Sequence, residues 1–277
     1  MRSSAPHSGR QQGLPFFLFL AGVLAFLLGT RFPAQTASLC VDSDLTAVPD
    51  TAPFSSAPVF ASGAGEDAGD KWVCLTFDDG PSKTTPAVLE ALDAAGVHGT
   101  FFVVATGHNQ KYLPLLTQAA AAGHQIALHS ASHEYSDIYR SADAYWQDIA
   151  LLKERIAPYV DPEAIRYLRF PGGSTNTVSR RYGGKGLMQQ LKSEVEQKGW
   201  QWVDWNVCAE DAVGGHPDAD TIYRNVVRET GEQTRCVVLM HDSATTGTTA
   251  QALPEIIRWY ADRDYRFLTV EQALPLG

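Results

Sequence analysis

The chain has 277 residues, 44% of them hydrophobic, and its 22 Lys and Arg against 31 Asp and Glu give a formal net charge of -9. So many apolar side chains supply a sizeable buried core and exclude a globally disordered chain. The acidic balance leaves nothing to offset phosphate repulsion, which excludes nucleic acid as a partner.

Residues 14–28 (LPFFLFLAGVLAFLL) are uncharged and apolar, and Arg2 and Arg10 precede them. The run falls between a signal-peptide core, about 7–15 residues, and a membrane-spanning helix, about 20. Residues 1–31 are therefore expected to form an apolar helix that serves as a signal anchor or a signal peptide. Arginines on its N-terminal side place the rest of the chain outside the cytoplasm, either anchored to the membrane or secreted. Thr36-Ala37-Ser38 only approximates a small-x-small cleavage site, and Leu39 is too bulky for a lipoprotein site ending at Cys40. Residues 32–70 read as a flexible acidic linker: from Val41 to Asp70 they are rich in Ala, Pro, Ser, Gly and Asp and lack Lys and Arg. Of Cys40, Cys74, Cys208 and Cys236, most are expected to be buried free thiols, because a domain this large needs no disulfide.

Residues 71–277 read as one folded domain. The first strand is expected over 71–77, followed by a helix over 85–95. Thr84 or Thr85 can cap that helix, Pro86 suits its first turn and Gly96 ends it. Further strands fit 99–104, 125–129, 167–170, 201–207, 236–240 and 266–269, and helices fit 112–122, 142–159, 186–198, 219–229 and 250–261. This alternation predicts an α/β fold with a parallel sheet and helices outside it. About seven units suit either a doubly wound sheet or a small, incomplete (β/α) barrel. The polar residues favour the barrel, whose chemistry gathers at the C-terminal ends of its strands. Asp78 and Asp79 follow the first strand, His129 ends the third, Arg169 lies at the end of the fourth, Asp211 follows the fifth and His241 the sixth.

Two adjacent carboxylates at a strand end, closed by Gly80-Pro81, point in different directions from a tight turn. One can bind a metal while the other faces a water; alone, an Asp-Asp-Gly is more often a capped turn. His129 and His133, four apart in a short loop or helical turn, can aim at one ion. With Asp79 they make a two-His, one-carboxylate set that leaves positions open, the pattern of a catalytic site. Zinc is the expected ion, with cobalt, nickel and manganese as alternatives.

In these residues the chain resembles the polysaccharide deacetylases of carbohydrate esterase family 4. Five ordered motifs carry the resemblance: Thr76-Phe77-Asp78-Asp79-Gly80, His129-Ser130-x-x-His133, Arg169-Phe170-Pro171-Gly172, the stretch from Trp205 to Asp211, and Leu239-Met240-His241. The resemblance implies a distorted (β/α) barrel, in agreement with the alternation of elements. It implies that Asp79, His129 and His133 hold the metal and that Asp78 is the general base toward the attacking water. His241 becomes the general acid, oriented by Asp211, and Arg169 pairs with Asp78. The N–H of Gly172, after Pro171, faces the oxyanion, and Leu239 lines the pocket for the acetyl methyl.

Two departures stand out. Ala212 occupies a position where the family usually has Trp, and Gly172 one where it often has an aromatic. Trp202, Trp205 and Tyr182 are candidates to restore the lost wall, and Asp204 competes with Asp211 for His241. The other histidines (His7, His98, His108, His124 and His216) read as surface or structural. The expected function is removal of acetyl groups from N-acetylglucosamine in peptidoglycan, with cell-wall glycan and the membrane as partners and no protein partner inferable. Chitin-oligomer deacetylation and O-acetyl xylan esterase activity are rivals within the same chemistry. A catalytically silent carbohydrate-binding domain would lack a ligand, base or acid, and none is missing. A glycosidase would place its paired carboxylates on separate elements.

Overall fold

The computed structural model describes residues 71–276. The apolar helix within 1–31, the linker over 32–70 and Cys40 lie outside the described residues. Among the described residues no helix is long and apolar enough to cross a membrane.

The elements run β1 (Trp72–Asp78), α1 (Thr85–Ala95), β2 (Thr100–Val104), α2 (Leu115–Ala121), β3 (Gln125–Ser130), α3 (Tyr135–Ile138), α4 (Ala142–Ile156), β4 (Tyr167–Leu168), α5 (Val178–Gly183), α6 (Leu187–Gln197), β5 (Gln201–Trp202), β6 (Val207–Cys208), α7 (Ala219–Thr230), β7 (Arg235–His241), α8 (Gly247–Ala261), β8 (Arg266–Phe267) and α9 (Val270–Ala273). All strand pairings are parallel, in the order β5-β4-β3-β2-β1-β7-β6, with β8 beside the start of β1. The edge strands β5 and β6 are near neighbours in sequence. Residues 203–206 cross between them: Val203 N–H reaches the Leu168 carbonyl at 2.9 Å and Asn206 N–H the Val237 carbonyl at 3.2 Å. The sheet is therefore a distorted barrel joined at its seam by a crossing segment. This corrects the single strand expected over 201–207, which splits because its backbone must serve β4 and then β7.

Period-two alternation sorts the strand residues. Val73, Leu75 and Phe77 of β1, Phe101 and Val103 of β2 and Leu128 of β3 face outward and pack under the helices. Trp72, Cys74, Phe102, Ala127, Tyr167, Val237 and Val270 form a separate inner cluster. The same parity sends Asp78, His129, Arg169, Leu239 and His241 inward at the C-terminal rim. At the opposite end α9 acts as a plug, with Val270 N–H donating to Thr100 Oγ1 at 3.0 Å and Tyr167 Oη to the Leu274 carbonyl at 2.8 Å.

Several boundaries differ from expectation. The helix expected over 112–122 begins only at Leu115, because Pro114 cannot donate into a preceding turn; a short 3-10 turn, Gln110–Tyr112, comes before it. Helices α3 and α5 are too short for a periodic pattern to reveal them. Helix α1 ends at a left-handed Gly96 as expected, but neither threonine caps its start. Instead Thr85 Oγ1 accepts from Ser82 N–H at 2.7 Å and donates to Asp242 Oδ2 at 2.5 Å. Cys74, Cys208 and Cys236 are free thiols.

Candidate active site

The rim is organised around two residues in left-handed backbone, Asp79 (φ 69°) and His133 (φ 58°). Such conformations cost energy in non-glycine residues and persist where the surroundings impose them. Gly80 follows Asp79 because nothing larger fits: a Cβ there would lie 2.1 Å from the carboxylate of Asp242. At His133 the loop is tied from below. Asp148 of α4 accepts from Ser130 Oγ (2.6 Å), Ala131 N–H (2.8 Å), Ser132 N–H (3.0 Å) and Ser132 Oγ (2.7 Å), while His133 N–H donates to Ser130 Oγ at 2.8 Å.

Asp79, His129 and His133 turn one ligand atom each toward a common point, all within 4.8 Å of one another. His129 Nε2 lies 3.5 Å and His133 Nε2 3.3 Å from Asp79 Oδ1. Ligands at about 2.1 Å from a tetrahedral ion stand about 3.4 Å apart, so these spacings fit a cation. Asp79 Oδ1 is also buried without a hydrogen-bond partner among the described residues, an arrangement that costs energy unless a cation compensates it. Burial alone would raise the Asp79 carboxyl, but His133, His129 and His241 together hold it below its ordinary value. Burial also lowers the His129 imidazole against the pull of Asp78 and Asp79, which keeps it neutral. Its Nδ1–H donates to the Arg169 carbonyl at 2.7 Å, leaving the Nε2 lone pair for a metal.

Asp78, 4% exposed, sits directly behind this set, its Oδ2 3.9 Å from His129 Nε2. Its other oxygen accepts from Arg169 Nη1 at 2.7 Å. Arg169 is fully buried inside the barrel, with its guanidinium 4.1 Å above the Phe102 ring. Three further donors go to Thr76 Oγ1 (2.9 Å), the Val203 carbonyl (2.9 Å) and the Asp204 carbonyl (3.3 Å). A buried, charge-assisted hydrogen bond of this kind holds the carboxylate in place.

On the neighbouring strand β7, in register with Asp78, His241 Nδ1–H donates to Asp211 Oδ1 at 2.8 Å, while the His241 backbone N–H and Thr249 Oγ1 both donate to Asp211 Oδ2 at 2.7 Å. Asp204, the rival partner, is engaged elsewhere, accepting from Ser174 N–H and Ser174 Oγ. Burial would lower the His241 pKa, but the charge and hydrogen bond of Asp211, with Asp79 and Asp78 adding to them, raise it to about 10. A bound cation would cancel the share from Asp79 and Asp78 and leave that of Asp211. Because the folded value exceeds the ordinary 6.5, the stabilisation is complete below about pH 6.5 and is lost as pH rises through the folded value. Asp211→Asn is accordingly expected to move the alkaline limb of the kcat profile to lower pH by more than one unit. It should also flatten the loss of stability between neutral and alkaline pH. An unmoved alkaline limb would mean that Asp211 does not set the protonation of His241.

Pro171 and Gly172 complete this side. Gly172 is exposed, in left-handed backbone (φ 75°), and a Cβ there would lie 3.1 Å from Tyr135 Oη. Tyr135, rather than the expected tryptophans or Tyr182, therefore occupies the space beside Gly172, edge-on to His133 at 5.4 Å. Trp205 packs against Gly173 instead, Trp202 joins the outer core, and Tyr182 is 42% exposed. Leu239 is buried on the inward face of β7, one inward position below His241. A cleft of about 430 Å³ opens beside the metal ligands, with Asn109, Tyr112, Glu134 and Thr245 along it.

Sequence reasoning missed Asp148, Asp242 and Tyr135. For Asp148 the signal was present: it is a charged residue in the apolar stripe of α4, between Tyr145 and Ile149. Asp242, fully buried, locks the turn after β1 to the end of β7 through Thr85 and Gly80. Burial, with Asp79 and Asp78 nearby, raises its carboxyl to about 7 against the Thr85 hydrogen bond.

A three-ligand cluster that fits a cation, beside a buried carboxylate and a charged imidazole on adjacent strands at the C-terminal rim of a parallel barrel, is the arrangement of a metal-dependent hydrolase. A family profile described as polysaccharide deacetylase matches residues 65–190. A chitooligosaccharide deacetylase of Bradyrhizobium sp. (strain ANU 289) is 30% identical over 194 residues, 69% of this chain and 80% of that protein. A peptidoglycan-N-acetylglucosamine deacetylase of Bacillus cereus is 28% identical over 212 residues, 74% of this chain and 89% of the relative. The catalytic domain of a peptidoglycan N-acetylglucosamine deacetylase from Eubacterium rectale ATCC 33656 superposes with a TM-score of 0.70 at 35% identity, covering 78% of this chain and 96% of that one. The chain belongs to the polysaccharide deacetylase family and is a hydrolase acting on carbon–nitrogen bonds.

Proposed function

We propose that the protein removes acetyl groups from N-acetylglucosamine residues of peptidoglycan, with Asp79, His129 and His133 holding a zinc ion. The observation that carries this reading is that Asp78 and His241, register partners on the adjacent strands β1 and β7, both stand beside one three-ligand cluster. Bound there, a divalent cation supplies Lewis acidity, polarising the acetamide carbonyl and acidifying a water. Asp78, held in place by Arg169, takes the proton from the attacking water through Oδ2. The water oxygen bonds to the acetyl carbon, and the Gly172 N–H is a donor for the charge that develops on the carbonyl oxygen. His241, charged beside Asp211, gives its Nε2 proton to the amino-sugar nitrogen as the carbon–nitrogen bond breaks. The products are acetate and a free amine, and Leu239 walls the space for the acetyl methyl.

The peptidoglycan assignment draws on the names of relatives such as those of Bacillus cereus and Eubacterium rectale. An extracytoplasmic location, anchored or secreted through residues 1–31 with residues 32–70 as a linker, suits a substrate outside the membrane. The test is acetate release by the full-length protein from peptidoglycan, N-acetylglucosamine oligomers and acetylated xylan. Release from peptidoglycan that a chelator abolishes and added zinc restores is the expected result. Preference for the oligomers or for xylan would replace the substrate, and no release from any of them would overturn the reaction.

A further inference from the structure

The peptide unit joining Pro171 to Gly172 is gripped from one side only. Tyr139, at the end of α3, is fully buried and donates its hydroxyl to the Pro171 carbonyl at 2.7 Å. Among the described residues that bond is the one hydrogen bond this peptide makes. The following N–H groups are occupied, Gly173 by the Phe170 carbonyl at 2.7 Å and Ser174 by Asp204 Oδ1 at 2.8 Å, whereas the N–H of Gly172 has no acceptor among the described residues. This peptide is trans, because Gly80–Pro81 is the cis bond among the described residues. In a planar trans unit the carbonyl and the N–H point in opposite directions, so fixing one aims the other. Tyr139 therefore pulls the carbonyl into the core, and the N–H of Gly172 is left pointing away from it, on an exposed residue beside the rim.

We propose that Tyr139 is a positioning residue for catalysis: its buried hydroxyl holds the Pro171–Gly172 peptide so that the Gly172 N–H is pre-aimed at the developing oxyanion. This rests on the deacetylase reading above and adds to it a residue outside the five motifs. The device answers a specific weakness of this chain. Gly172 and Gly173, both at positive φ, are two successive glycines with no side chain to restrain them. An unrestrained N–H would reorient during the reaction and lose most of its value, since such donors act through preorganisation. Two features support the grip. Burial, together with the nearby Tyr145 and Tyr135, pushes the Tyr139 hydroxyl well above its ordinary pKa, so it remains a donor at every working pH. A carbonyl that accepts a hydrogen bond also polarises its own peptide, which strengthens the opposite N–H as a donor.

The neighbouring ring supplies an internal control. Tyr145 stacks parallel to Tyr139 at 6.3 Å, and its hydroxyl is buried without a partner among the described residues. Tyr139→Phe and Tyr145→Phe each delete one buried hydroxyl from the same aromatic stack, but only the first frees the peptide. In the zinc-loaded full-length protein, Tyr139→Phe is expected to lower kcat on N-acetylglucosamine oligomers about 10–30-fold with KM nearly unchanged, less than the roughly 100–1000-fold cost of deleting an oxyanion donor. Tyr145→Phe should remain within about twofold of wild type, since an unpaired hydroxyl is removed at little cost. On N-trifluoroacetyl oligomers, whose oxyanion needs less help, the Tyr139→Phe loss should shrink below about threefold. General loosening would instead cut both substrates equally. Independently of turnover, the Gly172 amide signal in protein carrying nitrogen-15 glycine should shift or broaden in Tyr139→Phe and stay put in Tyr145→Phe. An unmoved Gly172 signal, equal losses on the two acyl groups, or an equal effect of the two variants overturns the assignment. A wild-type protein that releases no acetate counts against the deacetylase reading alone, because the amide signal still reports whether Tyr139 aims the peptide.

Discussion

Asp78→Asn is expected to lower kcat by about 100–10,000-fold, the range a positioned general base contributes, while zinc content stays at the wild-type level. The asymmetry follows from how the two oxygens of Asp78 are employed. Oδ1 is committed to Arg169 at 2.7 Å, and Oδ2 faces His129 from 3.9 Å, beyond bonding distance. Asn keeps an acceptor for the guanidinium but cannot take a proton from water. The variant also leaves a fully buried Arg169 charge without its counter-charge. Breaking a buried pair in this way costs about 3–5 kcal/mol, and the retained acceptor should keep the loss at the lower end. Kinetics are therefore to be measured well below the variant's melting temperature, alongside metal content. Near-normal kcat with normal zinc would remove Asp78 as the base. Loss of zinc together with activity would make it a ligand instead.

How much of this was legible in the sequence depends on whether a feature is local. The alternation of short apolar runs with helical patterns marks the barrel because each unit writes its own period into consecutive residues. Asp78-Asp79 and His129-x-x-x-His133 are legible for the same reason, since each pair lies within a few consecutive residues at one strand end. Pairing across the fold is another matter. Between Asp204 and Asp211 the sequence offers only motif position, which favours Asp211; the physical choice is made by Ser174, which occupies Asp204, and by β7, which brings the His241 backbone N–H onto Asp211. Similarly, nothing in the sequence around Gly172 shows that Tyr135 fills the space beside it, because the two meet only after α3 packs beneath the loop that follows β4. The strand expected over 201–207 failed because a sheet seam leaves no composition signature. Its residues are as apolar as those of a strand but divide their hydrogen bonds between two partners.

Removing His133 should empty the metal site. In His133→Ala, Asp79 and His129 remain as a two-ligand remnant. Loss of an outer-shell partner already weakens metal binding about 10–100-fold, and loss of a direct ligand should exceed that. The backbone complicates the variant, because residue 133 stands at φ 58°, where a side chain costs about 1–2 kcal/mol. His133→Gly relieves that strain and removes the same imidazole. If the residue serves the metal, both variants lose zinc on dialysis and both lose activity, although their melting temperatures differ. If it serves only the loop, the Gly variant keeps its zinc. The site offers one further discrimination. The His133 side chain is 25% exposed and lines the cleft, so the space it vacates is open to small molecules. Millimolar imidazole should therefore restore part of the zinc content and part of the acetate release in His133→Gly. It should do nothing for a variant at His129, whose ring is only 3% exposed and is held by the Arg169 carbonyl. Full retention of zinc in both His133 variants would exclude this residue as a ligand and leave the cluster without its third donor.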